Sequence, residues 1–170
     1  MLYARHRPGL FRFLCGQCGD QTLAEEIFQE TWLSLIRHSG EVPPVFFSAW
    51  LYRIARNRLI DYWRKSGRQQ KNQTSLDEVE YEAFAADEAE RPDCQLDLSR
   101  DQQRLQAALQ ELPDDQREVF LLRAHGDMEL HEIAELTRTP AETVKSRLRY
   151  AVQKLRRLLA QADQYGRTSL

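Results

Sequence analysis

Long apolar runs are missing from this chain of 170 residues. The longest uncharged stretch near its middle, Val42–Tyr52, contains Pro43 and Pro44 and falls well short of a bilayer-spanning helix. The N-terminus lacks the apolar segment of a signal peptide, since Arg5, Arg7 and Arg12 interrupt it. Cysteine is scarce as well. Three residues, an odd number, do not make a secreted disulfide framework. These absences together lead to the expectation of a cytoplasmic protein without membrane insertion. Strand signals are lacking too, with no sustained alternation of apolar and polar residues and few Val or Ile. The chain has no internal repeat, low-complexity tract, glycine-rich phosphate loop or nucleophile elbow. An enzyme is therefore not expected, and neither is a cofactor. What remains is 42% hydrophobic and 29% charged, the composition of a globular chain.

The formal charge of −2 conceals a pattern. Residues 1–70 carry ten Lys/Arg against six Asp/Glu, residues 71–105 four against ten, and residues 106–170 ten against ten. Within the last block, Lys145–Arg157 holds six basic residues and no acid. Phosphate attraction depends on local density, because a Debye length of about 8 Å screens distant charge.

The periodicity is helical throughout. Ala24, Ile27, Phe28, Thr31 and Leu35 recur at helical spacing, with Glu25, Glu26 and Glu30 mostly on the other side. Gly40–Pro44 breaks that pattern, and a second helix takes in Phe47, Trp50, Leu51, Ile54, Ala55, Leu59 and Trp63 before stopping near Gly67. From there to about Ser99 the chain is polar and acidic, which predicts a linker. Leu96–Leu112 reads as a helix, Pro113 opens a shorter one, and Gly126 follows as a stop. The fold class is all-α, two small helical domains joined by a flexible acidic linker.

The sharpest local signal lies near the C-terminus. Glu129–Leu136 reads as a short helix, Thr137 and Arg138 as a break, and Thr139, Pro140 and Glu142 as a capping box with proline at the first helical position. Val144, Leu148, Ala151, Leu155 and Leu158/Leu159 then form one apolar stripe. Lys145, Arg149 and Arg156 fall together on one side of it, Arg147 and Lys154 on the other. A short helix, a tight turn and a longer basic helix form a helix-turn-helix, in which the first helix braces the second against a major groove. Thr143, Lys145, Ser146 and Arg149 are the candidates to reach bases, and Arg147 is placed for phosphate. An ordinary helical hairpin with a solvated charged face is the alternative.

Upstream, Trp50–Lys65 interleaves aromatics with cations and a single acid, Asp61. Aromatics beside cations suit single-stranded DNA, which offers base faces for stacking and phosphates for pairing. The competing reading places Trp50, Leu51, Ile54 and Leu59 in the core, and for Trp50 the periodicity favours it.

Four segments occur in order: Leu23–Trp32, Trp50–Asp61, Leu112-Pro113 with Arg117–Phe120, and Thr143–Leu148. Together they resemble the extracytoplasmic-function (ECF) group of sigma-70 family RNA polymerase sigma factors. The resemblance implies a region 2 domain over 1–66, a linker over 67–98, a region 4 domain over 99–163 and a tail over 164–170. It implies that Glu26, Gln29, Glu30 and Trp32 bind the β′ clamp helices of core polymerase. Arg53, Arg56, Asn57, Asp61, Arg64 and Lys65, with the loop from His38 to Phe47, would recognise and melt the minus-ten element. Region 4 would bind the minus-thirty-five element and the β flap, and an anti-sigma factor is an expected partner. An autonomous helix-turn-helix regulator is the alternative function.

The sequence departs from the family pattern in places. The chain begins inside what resembles the first region 2 helix, so a preceding stretch is expected. Leu23 stands where an acid is usual, and Arg138 and Glu142 stand where glycines are. Glu129 occupies a position usually held by a Ser/Thr cap. Cys15 and Cys18 have the C-x-x-C spacing of redox and zinc sites, but there is no second pair and no βαβ context. Small buried thiols are expected, with no metal site.

Overall fold

The computed structural model describes residues 2–38, 47–67 and 100–167, the side chains of the last five excepted. The expected linker beyond Gly67, and the residues between His38 and Phe47 expected to help recognise the minus-ten element, lie outside the described residues. The described residues form α1 (Leu2–Cys18), α2 (Gln21–Arg37), α3 (Phe47–Lys65), α4 (Arg100–Gln110), α5 (Asp114–His125), α6 (Leu130–Thr137) and α7 (Ala141–Arg167), with no strand among them. The all-α expectation holds. Helix α7 runs on into the segment read as a tail. Among the described residues, no helix is long and apolar enough to cross a membrane.

Local chemistry sets several helix ends. The Asp20 carboxylate accepts from the backbone N–H groups of Thr22 at 2.9 Å and Leu23 at 3.3 Å, which starts α2. Leu23, Ala24, Ile27, Phe28, Thr31 and Trp32 then face inward. On α3 the buried positions are Phe47, Leu51, Tyr52, Ala55 and Leu59. Trp50 and Ile54 are only half-buried, so the inward face is rotated from the one the periodicity predicts. Leu10, Phe13 and Leu14 of α1 complete this half of the core, with the Phe13 ring edge-on to Tyr52 at 5.2 Å.

In the other half, Val119, Leu121, Leu122, Met128, Ile133, Val144, Ala151 and Leu155 are buried together. Helix α6 ends on Arg138, whose φ of 52° and ψ of 42° lie in the left-handed region. The Thr139 N–H closes this turn on Ala134 O at 3.0 Å. The cap missing from the sequence is partly supplied in reverse, because the Glu132 carboxylate accepts from the Glu129 N–H at 2.7 Å. Arg123 also donates to Met128 O at 2.7 Å and to the Glu129 carboxylate at 3.2 Å. The expected capping box at Thr139 is replaced by another arrangement. Pro140 O accepts the first helical bond, from Val144 N at 3.0 Å, while the Thr139 hydroxyl donates to Thr137 O at 3.2 Å.

The two halves share one hydrophobic cluster, and polar contacts add to the seam between them. On α3, Ser48, Tyr52 and Arg56 share one face at four-residue spacing. Their side chains donate to Gly126 O at 3.0 Å, His125 O at 2.6 Å and the Glu118 carboxylate at 2.6 Å. Gln106 and Gln110 of α4 donate to Cys15 O at 2.6 Å and Gly16 O at 2.8 Å, satisfying carbonyls at the end of α1.

Candidate nucleic-acid interfaces

The core-facing stripe of α7 settles which of its cations are available. Val144, Ala151 and Leu155 point inward, which leaves Thr143, Lys145, Arg149, Arg156 and Arg157 exposed. The Arg149 guanidinium lies 5.1 Å from the Tyr150 ring centroid, and both residues face solvent. Ser146 is half-buried, and its hydroxyl donates to Glu142 O at 2.9 Å.

Arg147 is used differently. Its Nε lies 3.0 Å from an Asp115 carboxylate oxygen, and Nη1 donates to the Thr139 hydroxyl at 3.3 Å. It ties α7 to α5 and to the turn before it. Lys154 likewise donates to Glu111 O, just past the end of α4. Both belong to the flank that the periodicity already set apart from Lys145, Arg149 and Arg156.

On α3, Arg53, Arg64 and Lys65 are exposed and Asp61 is half-buried. Arg56 forms a two-point pair with Glu118, Nε at 2.6 Å and Nη2 at 3.4 Å. The Asn57 Oδ1 is shut away from solvent without a hydrogen-bond partner. Leaving such a group unpaired costs about 1–3 kcal/mol. Arg58, which the sequence reading passed over, donates to the Ser34 hydroxyl at 2.8 Å and lies 3.8 Å from Glu30. Only its position three residues from Ala55 on the helix pointed to that role. Tyr62 is exposed, and Trp63 packs against the core.

On α2, Glu26 and Gln29 are exposed, while Glu30 is half-buried beside Arg58. Trp32 is 8% exposed, edge-on to Tyr3 at 4.5 Å and to Phe28 at 6.1 Å. It is a core residue that anchors α2. The structure therefore gathers Glu26 and Gln29 on one surface and sets Trp32 behind them.

Cys15 and Cys18 are half-buried free thiols, and burial, with smaller contributions from Cys15 and Asp20, pushes the Cys18 thiol up to about 12. Among the described residues, no group of three or more His, Cys, Asp or Glu could hold a metal ion.

A helical bundle joined to a helix-turn-helix with an exposed basic face on its second helix is the architecture of a DNA-binding protein. Residues 2–69 match the family model for Sigma-70 region 2, and residues 102–155 match that for Sigma-70, region 4. The chain is 31% identical to the RNA polymerase sigma factor CarQ of Myxococcus xanthus, over 95% of this chain and 89% of that protein. It is 31% identical to the ECF RNA polymerase sigma factor SigL of Mycobacterium tuberculosis H37Rv, over 91% and 85% respectively. The structure of the sigma factor RpoE in complex with the anti-sigma factor NepR, from Bartonella quintana, shares the fold. Its TM-score is 0.69 at 24% identity, covering 94% of both chains.

The chain belongs to the ECF group of sigma-70 family RNA polymerase sigma factors. It is a promoter-specificity subunit and has no catalytic chemistry of its own. The autonomous regulator is thereby set aside.

Proposed function

We propose that this cytoplasmic sigma factor reads promoters with two separate helices. The N-terminal half of α7 enters the major groove at the minus-thirty-five element, where Thr143, Lys145, Ser146 and Arg149 reach bases and the later arginines reach phosphates. Helix α3 takes the minus-ten element as single strand. Arg53, Arg64 and Lys65 bind its backbone, and Asn57 with its neighbours Arg56 and Asp61 holds a flipped base. Glu26 and Gln29, backed by Trp32 and Glu30, dock on the β′ clamp helices, while region 4 also contacts the β flap. The domains extend over 1–66 and 99–163, and the acidic segment 67–98 spans the distance between them. RpoE, a sigma factor of the same fold, has been captured with the anti-sigma factor NepR, and CnrH, of the same fold, with the cytosolic domain of CnrY. A partner of that class would hold this chain inactive.

One observation carries this reading. Lys145 and Arg149 are exposed on the second helix of the turn, while Arg147 and Lys154 are spent on bracing it. Two weak modules gain affinity through effective concentration once polymerase fixes their separation. Free chain should therefore bind duplex promoter DNA weakly and with a steep salt dependence, and holoenzyme tightly.

Run-off transcription with core polymerase and a set of promoter fragments tests the assignment. The expected result is promoter-selective transcripts, with Asn57→Ala impairing opening more than polymerase binding. Equal loss of both would refute the role given to Asn57.

A further inference from the structure

Tyr150 is a large aromatic residue on α7 that the core does not use. It is 50% exposed, beside Ala151, which belongs to the buried stripe. A ring left in water forgoes the gain that burial would bring. The Arg149 guanidinium lies over this ring, 5.1 Å from its centroid, with Nη2 donating to the phenol oxygen at 3.5 Å. Adjacent residues on a helix point about 100° apart, so the stem of Arg149 has to lean sideways to make the contact. Arg149 and Tyr150 lie one turn beyond Lys145 and Ser146, on the side of α7 that also carries the exposed Thr143.

The neighbouring cations are held in another way. Arg147 is bound by the Asp115 carboxylate and Lys154 by Glu111 O, acceptors that take up their donors. A ring face attracts the charge without occupying the N–H fork as a carboxylate does, and 3.5 Å is the long limit of a hydrogen bond. Arg149 is therefore held in one orientation with its donors still available. Two donors at the fixed spacing of a guanidinium match O6 and N7 of guanine.

We propose that Tyr150 is a positioning residue for base readout, its ring orienting Arg149 toward a guanine in the minus-thirty-five element. This role rests on the one given above to α7. Orienting the side chain beforehand lowers the rotamer freedom that binding has to remove. The ring acts through its face, so phenylalanine serves in its place and an aliphatic side chain of similar bulk does not.

The test uses holoenzyme assembled from the full chain and core polymerase, selecting from duplex promoter fragments randomised across the minus-thirty-five element. Wild type should enrich guanine at one position, and Arg149→Ala should lower that preference about tenfold. Tyr150→Leu should lower it at the same position by about two- to fivefold and leave the other positions unchanged. Tyr150→Phe should keep the wild-type preference. The salt slope of Tyr150→Leu should equal that of wild type, because a positioning ring neutralises no phosphate.

Guanine preference retained in Tyr150→Leu, a loss spread over all positions, a shallower slope, or equal impairment in Tyr150→Phe overturns the inference. So does selection by wild type without a guanine that depends on Arg149. In each of those cases the reading of α7 stands as long as wild type still enriches a sequence. If wild-type holoenzyme enriches none, that reading falls as well.

Discussion

On α7, the cations farthest from the core, Lys145, Arg149 and Arg156, are exposed. On α3, Arg56 and Arg58 are drawn into contacts with Glu118, Ser34 and Glu30, and the Asn57 carboxamide oxygen is shut from water. The two helices have comparable sequences, each basic and each amphipathic, yet α3 ties down the cations at its middle, Arg56 and Arg58, and leaves exposed only those nearer its ends, Arg53, Arg64 and Lys65. Counting cations therefore overstates what α3 offers as it stands. The difference lies in what each helix packs against. Helix α7 is backed by α5 and α6 and has one face left over, while α3 lies against both its own half and the other.

The largest effect should come from α7. Lys145→Glu with Arg149→Glu is expected to cost roughly 100-fold or more in upstream promoter affinity of the holoenzyme, at about 1–3 kcal/mol per lost base contact. Each lost phosphate contact should also make the salt slope shallower by about 0.9. Arg147→Ala is the contrasting substitution. It should leave that slope nearly unchanged while thermal or urea unfolding shows about 1 kcal/mol of lost stability, since its guanidinium braces Asp115 and Thr139. A slope that changes equally in both variants would erase the distinction between reading and bracing cations.

Acid sharpens the comparison at the seam. Burial, then the nearby Arg12, lowers the pKa of His125 from its ordinary 6.5. Burial and Arg5, opposed by Asp127, lower that of His6. Well above pH 6.5 both histidines are neutral whether folded or unfolded, and they contribute no penalty. As the pH falls below 6.5 the unfolded chain takes up protons that the folded one resists, so stability declines. The melting temperature should be lower at pH 5.5 than at pH 7.5. His125→Gln should shrink that difference without abolishing it, because His6 remains.

The smallest effect concerns the helix-turn-helix hinge. Arg138 adopts a left-handed conformation that glycine accepts without strain. Arg138→Gly should raise stability by about 0.5–1 kcal/mol in urea titrations, after the extra chain entropy of glycine is subtracted.

Much of this architecture was legible in the sequence. The core stripe of α7, the Gly126 stop, the helical character throughout and the split between the two basic flanks all follow from spacing. Helix α1 was harder. Pro8, Gly9 and Gly16 argue against a helix locally, and their reason lies in another part of the chain. The docking of the halves was illegible for the same cause, because it depends on missing side chains and on backbone carbonyls that no residue pattern records. The rotated core face of α3 shows the limit of apolar spacing: Tyr52 goes inside in place of Trp50 because its hydroxyl finds His125 O. At Glu129, where no Ser or Thr stands, the start of α6 is served instead by a capping box in which the Glu132 carboxylate accepts from the Glu129 N–H.

The glutamine contacts at the end of α1 bear on how this protein can be dissected. Gln106 and Gln110 lie some ninety residues downstream of the carbonyls they satisfy, which makes the last turn of the first helix a composite of distant segments. A recombinant fragment cut after Gly67 would begin life with a frayed terminus there, its amides exchanging quickly. Work on the severed N-terminal piece would then report on a looser object than the same residues within the intact polypeptide.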